Sequence, residues 1–127
     1  MAHTILTVDD SKMVRMIVSK AFQPFNCAVH EAGSGTEGIA KAQETHPDII
    51  FLDITMGDMT GFDALEKMRA MPDLANTHVV MLTAESGSKS IEKADQLKVA
   101  GYISKPFKPE QLIEQAQTAF NGSLAKK

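Results

Sequence analysis

A chain of 127 residues with 43% hydrophobic and 23% charged residues has the size and balance of one globular domain. Its formal net charge of −3, without a long basic run, argues against nucleic acid as a direct partner. A single cysteine, Cys27, excludes an intramolecular disulfide framework and fits a reducing compartment. No apolar stretch approaches the roughly 20 residues that span a bilayer, and no signal-type segment precedes the first strand pattern, so a soluble cytoplasmic protein with no membrane partner is expected.

Short apolar runs alternate with longer segments of helical period, which is the βαβ pattern. Residues 4–8 predict the first strand. A helix follows, capped by Asp10 or Ser11, with Val14, Ile17, Val18 and Ala21 on one face, and Pro24 ends it. Residues 28–32 predict a weaker strand nearer an edge, and residues 36–45 a helix stopped before Pro47. Ile49, Ile50, Phe51 and Leu52 are consecutive apolar residues, as expected of a central parallel strand buried on both faces. A loop over 54–60 leads to a helix over 61–71, with Phe62, Leu65 and Met68 inward. Residues 78–82 predict a fourth strand, residues 88–99 a helix with a soft start after Gly87, and residues 101–104 a short fifth strand. Pro109 suits the first turn of a last helix carrying Leu112, Ile113, Ala116 and Phe120 on one face. Residues 1–121 then form one domain, and residues 122–127 a frayed tail. The fold class is α/β, a doubly wound parallel sheet of five strands with helices on both faces.

In such sheets ligands bind beyond the carboxyl ends of the strands, where strand order reverses. The first strand delivers Asp9 and Asp10 there, the third Asp53, the fourth Thr83 and the fifth Lys105. Each is unremarkable alone, since aspartates cap helices and lysines sit in water, but their joint arrival at one rim is hard to ascribe to capping. Three clustered carboxylates raise one another's pKa unless a cation intervenes. A hard dication such as Mg²⁺ takes oxygen ligands of this kind. Asp53 ends the most buried strand and is the best-held nucleophile, able to form an acyl phosphate. Lys105 and the Thr83 hydroxyl would meet phosphoryl oxygens.

Val8-Asp9-Asp10-Ser11, Asp53 after its apolar run, Thr83-Ala84-Glu85 and Lys105-Pro106-Phe107 together resemble the response regulator receiver domain, closest to stand-alone chemotaxis-type (CheY-like) regulators. The likeness spans nearly the whole chain. It implies a flavodoxin-like (βα)5 fold and a two-component switch in which a histidine kinase phosphorylates Asp53. It further implies Mg²⁺ or Mn²⁺ held by Asp10, Asp53 and the Thr55 carbonyl, with Asp9 acting mainly through water. Thr83 and Tyr102 match the family's switch pair, and Thr55 and Glu85 the positions that tune hydrolysis. A cis peptide is implied between Lys105 and Pro106. The resemblance places binding of a downstream protein on the face around Ala94, Lys98, Tyr102 and Lys108, in a monomer for which dimerisation on phosphorylation stays open. Such a protein modifies itself and is not a turnover enzyme.

One position departs from the family, where Met-Pro usually follows the phosphorylated strand: Met56 is in place, but Gly57 stands for the proline. Glycine widens the backbone freedom of that loop, so lower loop order and metal affinity are expected. Residues 33–38, Gly-Ser-Gly-Thr-Glu-Gly, match the GxGxxG fingerprint of dinucleotide sites. They sit on the second βα turn instead of the first, and are read as turn glycines before a helix. A haloacid-dehalogenase-type phosphohydrolase would want a second aspartate at position 55, where Thr stands. A phosphorylation-silent interaction domain is the remaining alternative. Met68 and Met81 are read as core, and Met13, Met56 and Met59 as lying in or beside the mouth of the site.

Overall fold

The computed structural model describes residues 3–83, 96, 99–105, 107–122 and 124–126. Among the described residues nine elements follow in order: β1 (His3–Val8), α1 (Lys12–Phe22), β2 (Cys27–Ala32), α2 (Gly35–Thr45), β3 (Ile49–Asp53), α3 (Gly61–Arg69), β4 (His78–Thr83), β5 (Gly101–Ser104) and α4 (Pro109–Ala119). The helix expected over 88–99 falls almost wholly outside the described residues, as do Ala94 and Lys98 of the expected docking face.

All strand pairs are parallel and the order is β2-β1-β3-β4-β5. The chain runs outward from β1 to β2, then returns past β1 to β3, so strand order reverses between β1 and β3. That reversal opens a crevice at their carboxyl ends.

The central strand explains the layering. Every residue of β3 is buried. Because side chains alternate across a strand, Ile50 and Leu52 join Leu6, Val8, Val79 and Met81 against Ala42 of α2 and Leu65 and Met68 of α3. Ile49 and Phe51 face the opposite way, with Ile5, Val80 and Leu82 against Val18 and Phe22 of α1 and Leu112 and Ala116 of α4. Three helices begin with side-chain caps: Ser11 accepts from the Val14 N–H, Ser34 from Glu37, and Thr60 from Asp63 in a full capping box. Of the methionines, Met56, Met68 and Met81 are core, whereas Met13 is 71% exposed on α1.

The end of the chain differs from the frayed tail expected. Leu124 is 4% exposed and packs in the α1/α4 core, Asn26 donates to the Ala125 carbonyl at 2.7 Å, and Phe25 and Lys126 form an antiparallel bridge. The segment turns back through Asn121 and Gly122, both at positive φ (53° and 77°). Lysines and a polar turn conceal the signal, which is one leucine. Replacing Leu124 by alanine is expected to lower stability by about 2 kcal/mol. Urea denaturation checks this, and a loss near zero would restore the frayed tail.

Candidate functional site

The crevice is built from the strand ends upward. Directly after β1, Asp9 is fully buried: its N–H donates to the Ala32 carbonyl at 3.1 Å, and its own carbonyl accepts from Arg15 Nη1 at 2.6 Å. Asp9 Oδ1 accepts the Ser11 N–H at 2.8 Å, the same residue that caps α1. Asp53, 4% exposed, is the last residue of β3 and pairs in register with Leu82. Lys105, just beyond β5, reaches across the rim. Its Nζ donates to Asp53 Oδ1 at 3.0 Å and to Asp9 Oδ2 at 3.1 Å. Asp10 is exposed at the mouth. One oxygen from each of Asp9, Asp10 and Asp53 lies within 4.8 Å of the others.

The electrostatics of this set are unequal. Burial pushes the Asp53 carboxyl above its usual value; the Lys105 hydrogen bond pulls it back, the Asp9 charge pushes it up again, and the Thr55 N–H lowers it. The net direction is upward. Burial also opposes the Lys105 ammonium, but its bond to Asp53 and the charges of Asp9 and Asp53 outweigh that and raise its pKa. One ammonium therefore serves two buried carboxylates, and a third carboxylate stands beside them. With all three carboxylates ionised, the one ammonium that the described residues place among them would leave a deficit of two positive charges. An all-oxygen cluster with that deficit fits a hard divalent cation.

The comparisons with known proteins agree with this site. Residues 5–117 match the response regulator receiver domain family. The chain belongs to that family. It is similar to the chemotaxis protein CheY of Bacillus subtilis, 31% identical over 126 residues, covering 95% of this chain and all of the relative. It is also similar to protein PilG of Pseudomonas aeruginosa, 30% identical, with 86% of this chain and 81% of the relative aligned. Among solved structures, the chemotaxis protein CheY4 of Vibrio cholerae superposes with a TM-score of 0.88 at 33% identity, over 94% of this chain and 99% of that one.

Within this receiver domain, Asp9, Asp10, Asp53 and Lys105 converge as the sequence suggests. Thr55 is exposed two residues past Asp53 and donates its N–H to the Asp53 carboxylate. Thr83 ends β4 opposite Ser104 of β5, and its side chain lies outside the described part. Tyr102, half-buried on β5 beside Met81, packs on the α2/α3 side of the core. Glu85 and the Lys105–Pro106 peptide lie outside the described residues.

Two contributors were not read from the sequence. Arg15 holds the Asp9 carbonyl and also pairs with Glu31 on β2 at 3.2 Å. Asp58, in the loop after β3, accepts the N–H groups of Gly35 and Thr36 at 2.9 Å each and the Thr36 hydroxyl at 2.8 Å. Those N–H groups open α2, where a pyrophosphate would have to bind if residues 33–38 were a dinucleotide site. Asp58 already holds them. Packing accounts for the glycines: a Cβ on Gly35 would collide with the Met59 side chain, and one on Gly38 would stand 2.7 Å from Val8 Cγ1.

The raised Asp53 pKa fixes a sign for stability. The native state binds that proton more tightly than the unfolded chain, whose value is near 3.8. Stability therefore falls as pH rises from there through the native pKa, and Asp53 opposes folding at neutral pH. Asp53→Asn is expected to raise the urea midpoint at pH 7 in metal-free buffer, with the difference shrinking toward pH 3. A variant no more stable than wild type at pH 7 would overturn this assignment.

Proposed function

We propose that this receiver domain is the phosphoacceptor of a two-component pathway, with Asp53 as the residue modified and a histidine kinase as donor. The supporting observation is the ion-bonded pair at the strand-order reversal: a buried Asp53 carboxylate 3.0 Å from the Lys105 ammonium, with Asp9 and Asp10 beside it.

In this reading Asp53 attacks phosphorus as its carboxylate, so its ionisation is the first requirement. Lys105 favours that ionised form, while burial and Asp9 oppose it. A new bond forms between an Asp53 oxygen and phosphorus as the bond from phosphorus to the donor nitrogen breaks, and the electron pair leaves with the histidine. A divalent metal, Mg²⁺ or Mn²⁺, held by Asp9, Asp10, Asp53 and the Thr55 carbonyl, would supply the missing positive charge for the phosphoryl oxygens. Lys105 then turns from its bridge between the two aspartates to a phosphoryl oxygen, and the Thr83 hydroxyl donates to another. Tyr102, on the strand that ends at Lys105, is the natural reporter of that rearrangement. Its face, with Ala94, Lys98 and Lys108, is the proposed docking surface for a downstream protein in the cytoplasm. Thr55 and Glu85 would set how readily water reaches the acyl phosphate. The product stays attached to the chain, so the domain is a switch and not a turnover enzyme.

The test is intact-protein mass spectrometry after incubation with acetyl phosphate and Mg²⁺. Wild type is expected to gain roughly 80 Da, one phosphoryl group, while Asp53→Asn gains none and EDTA added before the donor abolishes the gain. An equal gain in Asp53→Asn would place the modification elsewhere. A wild type that neither gains mass from any donor nor binds Mg²⁺ or beryllofluoride would leave a phosphorylation-silent interaction domain.

A further inference from the structure

The loop from Ile54 to Thr60 carries Thr55, whose carbonyl the phosphorylation reading assigns to the metal, and its ends are well fixed. The Ile54 N–H donates to the Leu82 carbonyl at 3.1 Å, the Gly61 N–H to the Ile54 carbonyl at 2.7 Å, and Thr55 and Thr60 form an antiparallel bridge. The middle is different. Gly57 has open space where a side chain would stand, with nothing within 4 Å, and its backbone lies outside the left-handed region that favours glycine. Neither packing nor a required φ acts at Gly57 itself; Met56 before it is buried in the core and Met59 packs partly against it, and a polar tether between them would add to those contacts.

Asp58 supplies it. Its two carboxylate oxygens take three hydrogen bonds at the start of α2, from the Gly35 and Thr36 N–H groups and the Thr36 hydroxyl. The first N–H groups of a helix have no partner within the helix, and a negative charge is favoured beside them. Ser34, the cap of α2, is occupied by the Glu37 N–H at 3.1 Å and does not compete. The side chain of Met59 lies over Gly35, so a side chain on Gly35 would push the loop away. These bonds hold the Asp58 carboxyl down to about 2, so the tether stays charged throughout the neutral range.

Resting on the phosphorylation reading above, we propose that Asp58 is a positioning residue for the metal and phosphoryl site: it clamps the β3–α3 loop to the N-terminus of α2 and so holds the Thr55 carbonyl in place across the unrestrained Gly57. Asp58 touches neither metal nor phosphoryl group and acts through the loop. The Asp58 carboxylate thereby joins the loop after β3 to the start of α2, although Thr36 and Asp58 lie 22 positions apart in the chain.

The experiment compares wild type, Asp58→Ala and Ser34→Ala, the last weakening the start of α2 without touching the loop. Two quantities are read: amide hydrogen exchange of residues 55–60 in the metal-free protein, and Mg²⁺ affinity by titration calorimetry. Asp58→Ala is expected to speed exchange across the loop and weaken Mg²⁺ binding about tenfold, the low end for residues that support a metal's ligands. Ser34→Ala is expected to lose stability while keeping wild-type Mg²⁺ affinity. Adding Gly57→Ala to Asp58→Ala should recover part of the affinity, because alanine narrows the freedom of the untethered loop. Unchanged exchange or unchanged Mg²⁺ affinity in Asp58→Ala would overturn the proposal, and so would an equal Mg²⁺ loss in Ser34→Ala. A wild type that binds no Mg²⁺ would overturn the phosphorylation reading itself, and this role with it.

Discussion

The structure depends on one ammonium group shared between two buried carboxylates. Asp9 directly follows β1 and Asp53 ends the adjacent β3, at the point where strand order reverses, and both are almost wholly out of water. Removing an ionised carboxylate from water costs several kcal/mol even after relaxation. Lys105, from the far side of the sheet, offsets part of that cost with two bonds near 3 Å. It does not offset all of it, since the Asp53 carboxyl remains displaced upward. A fold optimised only for stability would place apolar side chains here. The uncompensated charge is what makes the crevice receptive to a cation.

The geometry around that charge is held by residues that never enter it. On the β1 side, Ser11 bonds Asp9 through its N–H while its hydroxyl caps α1, and Arg15 reaches back from α1 to the Asp9 carbonyl. On the β3 side, the loop is pinned at both ends by backbone bonds and in the middle by Asp58. Helix starts thus serve the site twice over: α1 and α2 each use their first turn to fix a loop that carries an acid or a carbonyl. Gly61, the first residue of α3, lacks the side chain that would collide with the Asp53 backbone, so the helix can begin there.

What was legible in the sequence was whatever has a short period or a fixed place. The five strands, their burial and the acids at their ends follow from runs such as Ile49 to Leu52 and from a rule about sheet edges, and the structure agrees for every strand. The site acids Asp9, Asp10 and Asp53 and the amine of Lys105 were found the same way. What was not legible depends on pairs far apart in the chain. Nothing near Asp58 announces that its partners are Gly35 and Thr36, nor does anything near Arg15 point to Glu31. The one available hint was that residues 33–38 open a helix with glycine at its first position, leaving N–H groups that some acceptor had to meet. The docked chain end was missed for a related reason: one leucine in a polar segment has no periodicity, and only its burial beside Phe25 and Phe120 gives it meaning.

In the proposed switch, the same charge deficit carries the signal. Phosphorylation replaces the single negative charge of Asp53 with one approaching two, so the demand on Lys105 grows while its reach stays fixed. Its Nζ bonds both Asp9 and Asp53, at 3.1 and 3.0 Å, so the ammonium is shared between them in the unmodified protein. A stronger anion on the Asp53 side draws the lysine off Asp9. Lys105 directly follows β5, and Tyr102 lies on that strand three residues before it. In that proposal a displacement of the ammonium pulls on the strand that bears the ring, while Asp9 is tied to Ala32, Ser11 and Arg15. The proposed response then runs from a held acid on the β1 side, through Lys105, into the strand that precedes it.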